Sequence, residues 1–470
     1  MWHHPIVLHD LRKAFYPAIV LLLSLAACAG ERLPGIAIRN VTIVDAVHGT
    51  RREQAVVFDG DTITYVGPAS EAPATDDSID AAGQYLIPGL WDFHVHLTYD
   101  DRFTPIMPKS FLRYGVTSVR DTGGLLPKLL PVINKMRSND TPAPRVFFSG
   151  PLLDGEFVVY DGISAPEIGM QNRTVRQAVH NVAALKAAGA SFIKIYEMVS
   201  SEVFTALIAA AEENKLPIAA HVPLSLTASE AGPLVDSMEH LRNIELDCAS
   251  NWEELLQARE VLLENKDGIR GYPLRSSLHS LQRLPAIERI DNARCDDVLS
   301  ELADTIQVPT AGLNTIALNP MFERDDWPGA LALMPESIRE AWAKPPNWLP
   351  ADKSQWDTRF ARYTMRMIAR MNERGIPIAA GTDTPIAHAI PGYSLLNELE
   401  ILVASGLSPL EALEAATVAP ARFFSLQHEM GTIEVGKRAD LVLLQADPVK
   451  DINNLRRVGL VIAQGTVVAD

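Results

Sequence analysis

The 470-residue sequence predicts an α/β chain, with a ring of parallel strands and helices joined to a small β domain. Three observations predict it. Short alternating runs stand at both ends of the chain. Apolar strand-like segments alternate with amphipathic stretches in the middle. Ionisable residues sit at the ends of those apolar segments, where an ordinary core has none.

The first element is a targeting segment. Arg12 and Lys13 precede "AIVLLLSLAAC", an apolar run too short to span a bilayer as a stable helix. It ends in Leu25-Ala26-Ala27-Cys28, which resembles a bacterial lipobox, so Cys28 is expected to carry a lipid anchor at the cell envelope. A plain secretory peptide cut after a small residue is the other reading. No aspartate follows Cys28 to suggest inner-membrane retention, and the long stretch before Arg12 leaves room for a downstream start. Export would permit Cys248 and Cys295 to pair in an oxidising compartment, although spacing alone cannot show that they meet.

From Ile36 to Ile87 the runs "IAIRNVTIVDA", "QAVVFDGDTITYVGP" and "SIDAAGQYLIPGL" alternate as half-buried strands do, with Asp59-Gly60 as a hairpin signal. "GTIEVGKRADLVLLQAD" and "VGLVIAQGTVVAD" have the same texture at the other end, so one β domain draws on both termini. Between them lie eight candidate strands: "GLWDFHVHL", "VTSVRDT", "RVFFSG", "FIKIYE", "PIAAHV", "SMEHL", "TIQVPTAGL" and "IPIAAGTD". Amphipathic runs such as "VRQAVHNVAALKAAGA" and "SEVFTALIAAAEENKL" separate several of them. Eight such units fit a (β/α)8, TIM-like barrel. Two interstrand segments, about 241–304 and 314–374, exceed a simple crossover and are expected to cap the barrel mouth.

A net charge of −16 argues against nucleic acid and against an electrostatic hold on anionic lipid. At the predicted strand ends stand His94, His96, Lys194, His221, His240 and Asp383. Each alone has a structural explanation: a bonded core histidine, a snorkelling lysine, a turn aspartate. Six in this order are too many to bury without a compensating cation. Imidazoles and a carboxylate suit zinc first, then manganese, iron or nickel. A deprotonated lysine can add CO2 to give a carbamate that bridges two metals, so Lys194 points to a pair; a salt-bridged lysine at the mouth is the alternative.

The order HxH, Lys, His, His, Asp resembles the binuclear amidohydrolase superfamily. "LIPGLWDFHVHL", "GVTSVRDTGG", "FIKIYE", "IAAHV", "MEHL", "AAGTDT" and "GTIEVGKRADLVLL" resemble its imidazolonepropionase-like branch, which includes Xaa-Pro dipeptidases. The resemblance covers nearly everything after the signal segment. After the signal peptide at 1–27 it implies a composite β-sandwich from 28–87 and 425–470, and a catalytic barrel at 88–424. It also implies that His94, His96 and Asp383 hold one metal, and His221 and His240 the other, with N6-carboxylated Lys194 between. Imidazolonepropionase lacks the bridging lysine, which argues for the binuclear hydrolases instead.

The expected reaction is hydrolysis of an amide in a small substrate, a dipeptide or N-acyl amino acid, by a hydroxide bridging the metals. Asp383 would move the proton, and Tyr196 would donate to the carbonyl. His388 would contact substrate or leaving group, unless it is a structural loop histidine. Arg120 and Arg242 would receive a substrate carboxylate, or else pair with neighbouring acids. Alternatives are a hydrolase of cyclic amides, lactones or carbonyl xenobiotics, a deaminase, and an inactive lipid-anchored binding protein. No nucleic-acid partner is expected, and membrane contact only through the anchor.

Overall fold

The computed structural model describes residues 32–138, 141–346 and 348–468. The targeting segment and the expected anchor at Cys28 lie outside them.

Strands from the two ends share one sheet. Ile36–Asp45, Gly49–Asp59 and Thr62–Pro68 form an antiparallel ribbon, and Asp77–Asp80 pairs alongside Ile36–Asp45. Tyr85–Pro88 then pairs antiparallel with Leu441–Leu444, which continues into Val458–Ala463 and Thr466–Val468. The hairpin after Asp59 turns through Gly60 at φ +50°, a conformation that glycine adopts without steric cost. Ile38, Val41, Ile43, Phe58, Leu86 and Leu443 bury one face as a small core. This is a single eight-stranded sheet, where the resemblance implied a two-sheet sandwich.

The middle of the chain is TIM-barrel-like. Leu90–Val95, Val116–Asp121 and Arg145–Phe148 form one parallel ladder. Leu152–Asp154, Ile193–Ile195, Ile218–Ala220, Ser237–Glu239 and Ile306–Val308 form a second, with Gly169–Gln171 at its edge. The ladders are not one closed barrel of regular strands. The third expected strand breaks at residues 149–151, and the Ser191 amide bonds to Phe148 O across the gap. The eighth segment, 377–384, begins at a proline that cannot donate, and it makes only isolated bridges. Gln307 N donates to Pro377 O at 2.8 Å on one side. Phe93 N donates to Ala380 O at 2.9 Å on the other. Gly381 makes this approach possible, since a Cβ there would lie 2.7 Å from the His94 Cβ.

Helices Val175–Ala187 and Ser201–Glu213 fill the two amphipathic runs. Thr174 and Ser200 cap them by accepting the Gln177 and Val203 amides. Val182, Leu185, Phe204 and Leu207 face the core, each contributing about 1.5–3 kcal/mol when fully buried. The first long segment carries helices Trp252–Leu263, Gly271–Glu288 and Asn292–Glu301. Cys248 and Cys295 are joined by a disulfide that closes this excursion. No helix among the described residues is long and apolar enough to cross a membrane.

Candidate metal centre

His94 and His96 share one face of Leu90–Val95 and its continuation, as their i, i+2 spacing requires. Their Nε2 atoms lie 3.3 and 3.2 Å from Asp383 Oδ1, which the eighth segment brings in. The three groups offer ligand atoms all within 4.8 Å of one another, and all three are buried. Burial alone would raise the Asp383 carboxyl, but His240, His94 and His96 together hold it well below its ordinary range.

His221 and His240 stand beside this trio. The His240 ring is 4.6 Å from both the His94 and His221 rings, centroid to centroid. Lys194 is fully buried, and its Nζ has no hydrogen-bond partner. The nearest acid is Glu239, 3.7 Å from Nζ. Burial brings the lysine amine down to about 7, so its neutral form is accessible near physiological pH.

Each imidazole is tethered through Nδ1. His94 meets Glu239 Oε2 at 2.5 Å, His96 meets Gly123 O at 3.0 Å, His221 meets Glu197 Oε1 at 2.7 Å and His240 meets Thr310 Oγ1 at 2.7 Å. A partner on Nδ1 fixes the tautomer and leaves the Nε2 lone pair for a cation. Four tethered imidazoles, one carboxylate and an orphaned buried amine are a donor set that fits divalent metal. Three of the residues concerned hold left-handed backbone: His240 at φ 65°, Thr310 at 44° and Asp383 at 61°.

The tethering acids escaped the reading of the sequence. Glu239 also accepts from Arg120 Nη2 at 2.7 Å and Ser237 Oγ at 2.9 Å. Glu197 accepts from Arg275 at 2.9 and 3.1 Å and meets His279 Nε2 at 2.5 Å, both from helix Gly271–Glu288. Despite burial, these cationic partners keep both glutamates well below their ordinary range. The signal for them was adjacency: Glu239 precedes His240, and Glu197 closes "FIKIYE".

For two residues the contacts favour the structural alternative. Arg120 does not face a substrate. Its guanidinium is wholly buried, donates to Phe93 O, Ser237 Oγ and Glu239, and lies 3.6 Å over the Phe93 ring. His388 bonds Lys344 O through Nε2 at 2.8 Å and stacks on Trp342, fixing the second long segment as a structural histidine. Arg242 does stand near the site, with Nη1 3.3 Å from Glu197 Oε1 and Nε buried without a partner. Tyr196 packs 4.4 Å from the His221 ring, and its hydroxyl bonds no protein group among the described residues.

Residues 347–468 match the model of the Amidohydrolase family. The chain is 47% identical over 55 residues to imidazolonepropionase of Arthrobacter sp. (strain FB24), covering 12% of this chain and 14% of that protein. It is 34% identical over 100 residues to adenine deaminase of Edwardsiella ictaluri (strain 93-146), covering 21% and 17%. The chain thus matches less than a fifth of the length of either curated relative. Its fold resembles a Xaa-Pro dipeptidase with bound methionine, with a TM-score of 0.64, 19% identity and coverage of 93% and 100%. It also resembles bottromycin amidohydrolase, with a TM-score of 0.67, 21% identity and coverage of 92% and 86%. The family-model match and the curated relatives support a place in the amidohydrolase superfamily.

Proposed function

We propose that the chain is a metal-dependent hydrolase of an amide bond in a small substrate, a dipeptide or N-acyl amino acid. The observation that carries this reading is the buried Lys194 amine, which has no hydrogen-bond partner and only a 3.7 Å approach to Glu239, beside four imidazoles whose Nδ1 atoms are all engaged. Such an amine is burdensome to bury unless it is modified and bridges cations. In this reading, with zinc foremost, His94, His96 and Asp383 would hold one metal, His221 and His240 would hold a second, and a carboxylated Lys194 would serve both. Bound metals of this kind supply Lewis acidity and activate water near neutral pH.

The chain's own residues do the rest. Asp383 accepts the proton of the attacking water and delivers it to the leaving amine. The free Tyr196 hydroxyl donates to the carbonyl oxygen as it gains charge. The two ladders and the 377–384 segment act as one (β/α)8 barrel, framed at 88–424 by a composite β domain. The Cys248–Cys295 bridge agrees with export, and lipid anchoring at Cys28 belongs to the same proposal.

Metal analysis of the wild type beside Lys194→Ala, each assayed against a dipeptide and N-acyl amino acid library, tests the reading. About two metals per wild-type chain are expected, with metal and turnover both falling sharply in the variant. Unchanged metal content and activity in Lys194→Ala would overturn the binuclear site.

A further inference from the structure

Four tyrosine rings run from the metal ligands to the surface. Tyr196 lies 4.4 Å from the His221 ring and Tyr99 lies 6.0 Å from the His96 ring. Both meet Tyr160, at 5.6 and 6.2 Å, and Tyr160 meets Tyr272 at 6.2 Å. The contacts to Tyr160 are edge-on, at 70°, 72° and 77°. Tyr272 is the outermost ring, 37% exposed. Gly271 seats it, because a Cβ at that position would lie 2.3 Å from Val158 O.

None of the four hydroxyls bonds a protein group among the described residues. None of them is among the buried unpartnered atoms, so each hydroxyl reaches solvent. Unpartnered hydroxyls along one path from site to surface indicate a wall that faces a ligand.

Charge restricts what that ligand is. Arg275 Cζ lies 6.0 Å from the Tyr196 ring, and Arg242 keeps a buried, partnerless Nε nearby. Arg242, Arg275 and Arg283 face Glu197 and Glu245, which leaves an excess of positive charge. An aromatic wall with no guanidinium nearby would suit a cationic side chain. Here the guanidiniums repel one and attract a carboxylate.

We propose that Tyr99, Tyr160 and Tyr272 form a specificity subsite for a flat, uncharged side chain, aromatic above all, whose carboxylate pairs with Arg242. This rests on the amide-hydrolase reading and names the substrate class: carboxylate-bearing amides of aromatic amino acids. The side chain stacks against the ring wall. The carboxylate takes the Arg242 Nε that no protein group satisfies.

The test uses the metal-loaded full chain with N-acetyl-phenylalanine, N-acetyl-alanine, N-acetyl-lysine and the carboxamide of the first. Binding is read by calorimetry and turnover separately. The phenylalanine compound is expected to be favoured over the alanine compound by at least about tenfold in both. Tyr160→Leu brings the two within about threefold, and Tyr272→Ala, at an exposed position, falls between. Arg242→Gln abolishes the preference for the carboxylate over the carboxamide. Equal treatment of phenylalanine and alanine, a preference for lysine, or no binding at all overturns the subsite. Selective binding without turnover overturns the hydrolase reading and leaves the subsite standing.

Discussion

The two halves of the candidate metal centre are held by different parts of the chain. His94, His96 and Asp383 are fixed from within the parallel strands, by Glu239, Gly123 O and the buried Arg120 beneath them. His221 is fixed by Glu197, which takes a counter-charge from Arg275 and a hydrogen bond from His279 on an inserted helix. The first half is therefore part of the core. The second depends on an excursion, closed by the Cys248–Cys295 bridge, only through His221, because His240 is tied to Thr310 just past Ile306–Val308. Tethers built into strands cannot be lost without the fold, whereas tethers on an insertion can be loosened separately.

The largest effect should come from breaking the first half. Arg120→Met leaves buried Glu239 without its main counter-charge, at a cost of about 3–5 kcal/mol in urea unfolding. An Arg120→Met protein as stable as wild type would show that the core does not carry this half. Cys295→Ser should cost less, about 2–4 kcal/mol. Its effect should be local, with hydrogen exchange rising across 252–301 and not in Leu90–Val95. Uniform exchange through both regions would erase the distinction between the halves.

Arg275→Met, which removes one tie on Glu197, should weaken the second metal by about 10- to 100-fold and leave the first intact. Equal weakening of both steps in a metal titration would contradict the separate tethering.

The smallest and sharpest test is protonation in the metal-free protein. Burial opposes charge on His96, but Asp383 outweighs it and raises the imidazole above its ordinary range. Burial, reinforced by Lys194 for His221 and by Arg242 for His240, drives the other pair well below theirs. The raised group stabilises the fold at low pH, and that contribution is lost as pH rises through its folded value. The depressed pair acts oppositely. The unfolded chain takes their protons first, so acidification through the ordinary histidine range destabilises the fold. Histidine NMR should show His96 titrating above about 6.5 and the other two still neutral there. His221 and His240 titrating with His96 would remove the electrostatic contrast.

The strand-end ligands were legible because charge inside apolar runs such as "PIAAHV" and "FIKIYE" has no ordinary reason to be there. Seven of the eight expected strands were legible as apolar runs of strand length, whereas Leu152–Asp154 was missed. Arg120 misled because its sequence position says nothing about which way a strand side chain faces. It points into the barrel, onto Phe93 and Glu239. Arg275 and His279 lie 78 and 82 residues from the glutamate they serve, and no local pattern links them to it. The regularity expected of the eighth strand failed at Pro377 and Gly381, where close approach to His94 took precedence over the ladder.

The left-handed backbone at His240, Thr310 and Asp383 bears on attempts to make this protein hardier. Of those residue types, aspartate and histidine tolerate the conformation better than most, and glycine better still. A selection for heat resistance that ignored chemistry would therefore favour glycine at these positions. Each gain would come from relieving a torsion that now aims a ligand or its tether, so the toughest descendants would be those that had forgotten how to hold metal.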